Sequence, residues 1–289
     1  MFFYVSNAFV ILVFAFIGGF VDSAGYIQLY GLFTSSITGN LVVASTSIFK
    51  SNGGVFSRLF VTLFFATGAF VSSFSALHMR DIFKLDKWHI GITLVASEIV
   101  SLVVTVIVAE IIQSTPRNFP SIDSWQSILV GSLMASSMGI QSVAVIEMIK
   151  NSHSTTVMTA NIVKTSMAAA NALHLHFLAK GKAMGDNGAL TESQVHSKVI
   201  EAKFKFLEII TVIIVFMLGA AAGAVITMSI NLISLIVPIV LLVLLIFSMS
   251  AGKRQHRLND SDLSSTSSPI AGGSRHNNNV ELSSPQTAV

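Results

Sequence analysis

The sequence predicts an all-α, polytopic membrane protein with six to eight transmembrane segments, two internal repeats and a disordered C-terminal tail. Three observations carry that prediction. The 289 residues are 52% hydrophobic and 11% charged, with a mean hydropathy of +0.74, whereas a soluble domain carries about 25% charged residues. The apolar residues fall into long runs, and a helix needs about 20 of them to cross a bilayer. Finally, one polar motif occurs twice. Residues 34–45 align onto 155–166 without a gap, with Thr34/Thr155, Thr38/Thr159, Asn40/Asn161, Val42/Val163 and Ser45/Ser166 identical.

The apolar segments run roughly 8–30, 34–49, 57–79, 89–112, 126–149, 155–178, 206–227 and 230–250. The first is interrupted by Gly18, Gly19 and Asp22. No Lys or Arg precedes it, so it reads as a first span and not as a secretory leader. The second is short and polar. The third carries Gly68 and Ser72, the seventh Gly219 and Gly223, four residues apart in each case. Such small pairs let helix backbones approach closely in lipid. The repeats are then about 1–112 and 126–250, joined by a stretch holding Pro116 and Pro120, with the polar residues 179–205 inserted as a loop. Residues 251–289 are rich in Ser and Asn and too poor in apolar positions to fold alone.

The net charge of +3 does not point to nucleic acid, because the basic residues sit in short loops and not on a face interleaved with aromatics. Their distribution sets topology instead. If segments two and six cross the bilayer, there are eight spans in two parallel units, and the side bearing the termini holds 12 basic residues against 4. If those segments dip in and return, there are six spans in two inverted units, and the count is 13 against 3 without Lys164. Both counts place both termini in the cytoplasm. The short second segment leans to eight spans, because a shielded helix of about 16 residues can cross.

Polar residues at membrane depth are functional candidates. Asp22 is expected either to handle a proton or cation, or to be a structural acid paired with a helix N-terminus or a lysine. Thr38, Asn40, Thr159 and Asn161 follow hydroxyl-rich lead-ins, Thr34 to Ser36 and Ser154 to Thr156, that look like helix N-caps. A helix beginning inside the membrane aims its positive end at whatever fills the centre; the alternative is interhelical hydrogen bonding. Gln141, two residues after Gly139, stands as the uncharged counterpart of Asp22 or as core packing. Lys164 lies one turn after Asn161 and is expected to pair with Asp22, attract an anionic solute or snorkel to the interface. Glu98, deep in the fourth segment, is a candidate proton carrier.

His174 and His176 face different sides of a helix, which disfavours a metal site. There is no cysteine, P-loop, dinucleotide fingerprint or hydrolase signature, so no enzyme and no cofactor is expected. Lys253, Arg254 and Arg257 follow the last span as lipid-facing anchors. The end at Val289 fits a C-terminal-peptide-binding domain.

Gly19 to Tyr26, then Phe33, then Ile37-Thr38-Gly39-Asn40 resembles the first half of the YoaK-type multi-pass membrane proteins. Met138 to Ser142 followed by Thr155 to Asn161 resembles the second half, with Ser142 and Ala160 where that family has Asn and Gly. The resemblance spans about residues 8–250. It implies a helical membrane fold and assigns no activity. The functional expectation is a secondary transporter or permease for a small polar or anionic solute. The alternative is a non-transporting scaffold or regulator whose polar motifs hold helices together. Membrane lipids and a small-molecule solute are the expected partners.

Overall fold

A computed structural model describes residues 7–50, 53–114, 119–149, 162–167, 169–170, 173–174 and 192–266. The main elements are α1 (Asn7–Gln28), α2 (Ile37–Lys50), α3 (Val55–Asp81), α4 (Lys87–Gln113), α5 (Trp125–Met148), α6 (Glu192–Ile230), a 3-10 turn (Asn231–Leu235) and α7 (Ile236–Thr266). Every regular element among the described residues is helical. Five stretches are long and apolar enough to cross a membrane: α1, α3, α4, α5 and Phe206–Ala251. The last has 46 residues, far more than one crossing requires, and the 3-10 turn divides it.

Local chemistry sets the boundaries. Asp86 opens α4 by accepting from the His89 amide at 3.0 Å, and Ser124 opens α5 by accepting from the Ser127 amide at 3.3 Å. Left-handed Lys84 (φ 53°) lies between α3 and α4, and left-handed Asn231 (φ 55°) between α6 and α7.

Two crossings are built alike. On the α1–α6 contact, a Cβ added to Gly19 would collide with the Phe216 carbonyl and the Ala220 amide, and one on Gly219 with Phe16. On the α5–α3 contact, a Cβ on Gly139 would collide with the Phe65 carbonyl and the Ala69 amide, and one on Gly68 with Ser136. Gly19 therefore plays the part of Gly139, and Gly219 that of Gly68. Backbones this close maximise dispersion contact where lipid supplies no hydrophobic drive between helices.

The same contacts fix chain direction. Gly219 and Gly223 meet Phe16 and Phe20 in order, so α1 and α6 run parallel. Val61 lies against Gly131 and Gly68 against Ser136, so α3 and α5 are also parallel. Gly91 lies against Met148 and Ser101 bonds Ser137 at 2.7 Å, so α4 opposes α5. Leu29 and Leu32 reach Gly131 while the Phe14 carbonyl meets Gln141, so α1 opposes α5 too.

Both connections of α2 lie at one end of the bundle. Arg58, near the start of α3, donates to the Gly31 carbonyl at 2.6 Å, just beyond α1. Asp123, just before α5, accepts from the Gly54 amide and the Ser57 hydroxyl, each at 2.6 Å, and Tyr30 donates its hydroxyl to the Phe119 carbonyl. An Arg80–Glu147 ion pair ties α3 to α5 at the other end. Helix α2 thus enters and leaves on one side. Its 14 residues rise about 21 Å, short of the roughly 30 Å hydrocarbon core.

α1 and α5 form the interior, with 67% of their apolar windows buried against 22% for α3. Phe70, Phe74, Met217, Val225 and Phe247 are exposed on the outer helices, as a lipid-facing surface requires. Two boundaries move from their expected places. Residues 192–205, expected in a polar loop, form the first turns of α6, and α7 continues to Thr266, past the boundary expected at 250. Residues 179–191 and 267–289 lie outside the described residues.

The crossings yield a prediction. Gly19→Ala and Gly139→Ala force backbones apart and should each destabilise the fold by about 1–3 kcal/mol. Gly39→Ala, whose Cβ would meet no backbone atom but the Phe33 ring at 3.2 Å and the Ser36 Cβ at 3.8 Å, should be tolerated better. Thermal unfolding of the detergent-solubilised protein measures all three.

Candidate functional site

The site is the polar break between α1 and α2. Helix α1 continues six residues beyond Asp22, to Gln28, or about 9 Å. The chain then reverses through Tyr30 (φ 57°) and Gly31 (φ 75°) and runs back along α1. Gly25 makes this return possible, because a Cβ there would lie 2.6 Å from the Thr34 methyl. Residues 34–36 therefore sit at the level of Asp22, and α2 begins inside the bundle.

Nothing helical satisfies this returning strand, so two side chains do. Asp22, 7% exposed, accepts through Oδ1 from the Thr34 amide at 2.8 Å, the Ser35 amide at 2.8 Å and the Thr34 hydroxyl at 3.2 Å. Its Oδ2 accepts from the Ser36 hydroxyl at 2.6 Å. Fully buried Asn40 donates Nδ2 to the Phe33 carbonyl at 2.7 Å and accepts the Phe33 amide on Oδ1 at 3.1 Å. A buried amide without a partner is costly, and here one carboxylate and one carboxamide satisfy three backbone amides and one carbonyl. The hydroxyl lead-in thus serves differently from the expected N-cap: Ser36 donates to Asp22.

Beside this stitched turn lies an open cleft of about 700 Å³ between α1, the start of α2, α3 and α6. Tyr26, Phe33, Phe65 and Phe216 make its walls largely aromatic, and the Tyr26 and Phe33 rings lie 4.9 Å apart. Among the described residues, Asp22 is the only carboxylate in the lining, and no Lys or Arg joins it. Ser35 also lines the cleft, and its buried hydroxyl has no hydrogen-bond partner.

Of the residues expected here, Asp22 and Thr38 line the cleft, while Asn40 is buried in the turn. Gln141 is elsewhere. It is fully buried on α5 and donates Nε2 to the Phe14 carbonyl at 3.1 Å. The crossings that equate Gly19 with Gly139 put Ser142, not Gln141, in the place of Asp22. Lys164 is exposed on the helical turn 162–167, and the four bonds to Asp22 all come from residues 34–36. Thr159 and Asn161 lie outside the described residues. The expected set missed Ser35 and the four aromatic walls. Ser35 carried a signal in its hydroxyl-rich run, whereas the phenylalanines look like any apolar residue of a span.

Residues 10–248 match the family described as protein of unknown function DUF1275, and the chain belongs to that family. This agrees with the expected uncharacterised multi-pass family. No curated protein and no solved structure matches the chain.

The turn predicts a graded series. Asp22→Ala leaves two buried amides unpaired and should cost about 2–6 kcal/mol, Asn40→Ala about 1–3 kcal/mol. Asp22→Asn keeps an acceptor for both amides, and the Ser36 hydroxyl can rotate to accept, so it should cost least. Melting temperatures should fall in the order Asp22→Ala, Asn40→Ala, Asp22→Asn, the first being lowest.

Proposed function

We propose that this chain is a six-span permease made of two inverted three-helix halves, with its solute held in the cleft beside Asp22. The directions support the span count: α1, α4 and α6 run one way, α3 and α5 the other, and α7 returns from the 3-10 turn along α4 and α1. The start of α1 and the start of α6 then share the face of the Arg80–Glu147 pair, which also holds Lys84 and Lys87. The positive-inside rule makes that face cytoplasmic.

One observation carries the reading. A helix starts inside the bundle, and a cleft of solute size opens at its first residues, between helices of both halves. Inverted repeats with an interrupted helix at the centre are a recurrent transporter design. The lining narrows the solute. The positive end of α2 faces the Asp22 carboxylate, which balances it, so an anion gains little. Aromatic walls favour a flat or cationic body, and the free Ser35 hydroxyl offers one hydrogen bond. A small neutral or cationic solute with an apolar body fits best, in place of the anion that the sequence left open.

The scaffold alternative rests on one fact: Asp22 and Asn40 direct their bonds to the protein itself. The two readings separate at Ser35 and Thr38, which line the cleft. Proteoliposomes holding the full-length protein should take up members of a radiolabelled panel, organic cations and neutral solutes ahead of anions. Ser35→Ala should weaken apparent affinity about fivefold to tenfold, the worth of one hydrogen bond, without lowering the melting temperature. Thr38→Trp should block uptake by filling the cleft. If no panel member is taken up, and neither variant alters any solute-dependent thermal shift, the scaffold reading stands instead.

A further inference from the structure

A second buried carboxyl lies outside the cleft lining. Glu98 is fully buried in α4, and neither carboxyl oxygen has a hydrogen-bond partner. The cleft lining comes from α1, the start of α2, α3 and α6, so Glu98 takes no part in it.

Packing shows what faces it. Ser101, one turn after Glu98, bonds Ser137 of antiparallel α5, and Gly91, two turns before, meets Met148. Glu98 therefore stands level with Gln141, which is one turn after Ser137 on the same face of α5. The amide of Gln141 has a fixed orientation: Nε2 must face the Phe14 carbonyl, which only accepts, so Oε1 points away from that bond. That Oε1 is buried and unpartnered as well. Two fully buried groups thus lack partners at one level of one helix interface, and both are acceptors. A single hydrogen would satisfy both.

Among the described residues, no cation is placed to balance a carboxylate here. The only ionisable side chain of α5 is Glu147, which pairs with Arg80 at the bundle end. The 3-10 turn and α7 have none between Asn231 and Gly252, and those of α3, Arg58, His78, Arg80 and Asp81, sit near its two ends. On α4 itself, Lys87 and His89 lie in the first turn and Glu110 in the last. Packing does not require an acid at this kind of position either, since α7, which takes the place of α4 in the other half, buries Leu242, Leu245 and Met249.

We propose that Glu98 and Gln141 form a proton-binding site, in which Glu98 as the carboxylic acid donates its hydrogen to Gln141 Oε1. The proton is the ligand. Glu98 carries it, and Gln141, held by Phe14, positions it and links α1, α4 and α5 through one chain of hydrogen bonds. The site stands independently of the permease reading, because it concerns the occupancy of this pair and not solute movement.

Infrared spectroscopy of the full-length protein in lipid nanodiscs at neutral pH tests it, since a protonated carboxyl has a carbonyl band separate from that of a carboxylate. Wild type should show this band, Glu98→Gln should lose it, and Glu110→Gln should keep it. Gln141→Leu, which leaves Glu98 in place, should move the band to higher frequency as the acid loses its acceptor. Absence of the band in wild type, or its persistence in Glu98→Gln, overturns the proton site. An unshifted band in Gln141→Leu overturns the pairing even if Glu98→Gln fails to fold.

Discussion

A chain that leaves helical geometry within a bilayer must find a partner for each backbone amide it frees. In this protein one carboxylate meets most of that constraint, with Asn40 taking the Phe33 amide. Asp22 takes the amides of Thr34 and Ser35 on a single oxygen, which lets the chain run back beside α1 without a helix of its own. The placement of α2 follows from this. Because residues 34–36 are fastened at the depth of Asp22, α2 starts within the bundle, opens a cleft at its first turn and ends where α1 ended. A helix that returns to its own side reverses the sense of everything after it. In the proposed permease, the inverted order of the two halves would follow from how this one turn is satisfied.

The glycine crossings give that order its rigidity. Helix α1 of the first half packs on α6 of the second, and α5 of the second packs on α3 of the first. The halves are exchanged, so neither can leave without opening two backbone-to-backbone contacts. In a permease, the units that move against each other would accordingly be the α1–α6 and α3–α5 pairs, not the first and second halves of the sequence. The cleft takes Gly19 and Phe216 from one pair and Thr62 and Phe65 from the other. Relative motion of the pairs would change its width directly.

Much of this was legible in the residues. The helical membrane class followed from composition, the motif at residues 34–40 marked the break between α1 and α2, and Gly68 and Gly219 stood out as close-approach positions. Six and eight spans could not be separated, because loop charge places the termini on the same side in both. The contacts that support the six-span reading, Arg58 to Gly31 and Asp123 to Gly54, join residues 27 and 69 apart, and no local pattern announces them. The alignment also hid a shift. The motif repeats at an offset of 121 while the α1 and α5 crossings repeat at 120. That one-residue difference falls between Gly19 and Thr34. Gln141 drew attention as the polar residue two after Gly139, whereas the crossing offset carries Asp22 onto Ser142.

Depth in the membrane drew attention to Asp22 and Glu98 alike, yet their surroundings are opposite. Asp22 meets four donors, two of them backbone amides that have no other use for a helix-free turn. Glu98 meets none, and the nearest polar atom by register is another acceptor. A carboxyl surrounded by donors has its oxygens committed to the protein, and its first task is to keep the backbone where it is. A carboxyl surrounded by apolar side chains and a lone acceptor gains a partner only by gaining a hydrogen. What separates a structural acid from a candidate proton carrier is therefore the count of donors around it, which a sequence displays only when those donors are local. For Asp22 they lie 12 to 14 residues away, in a run of hydroxyls. For Glu98 the partner lies on a helix that begins beyond the end of its own.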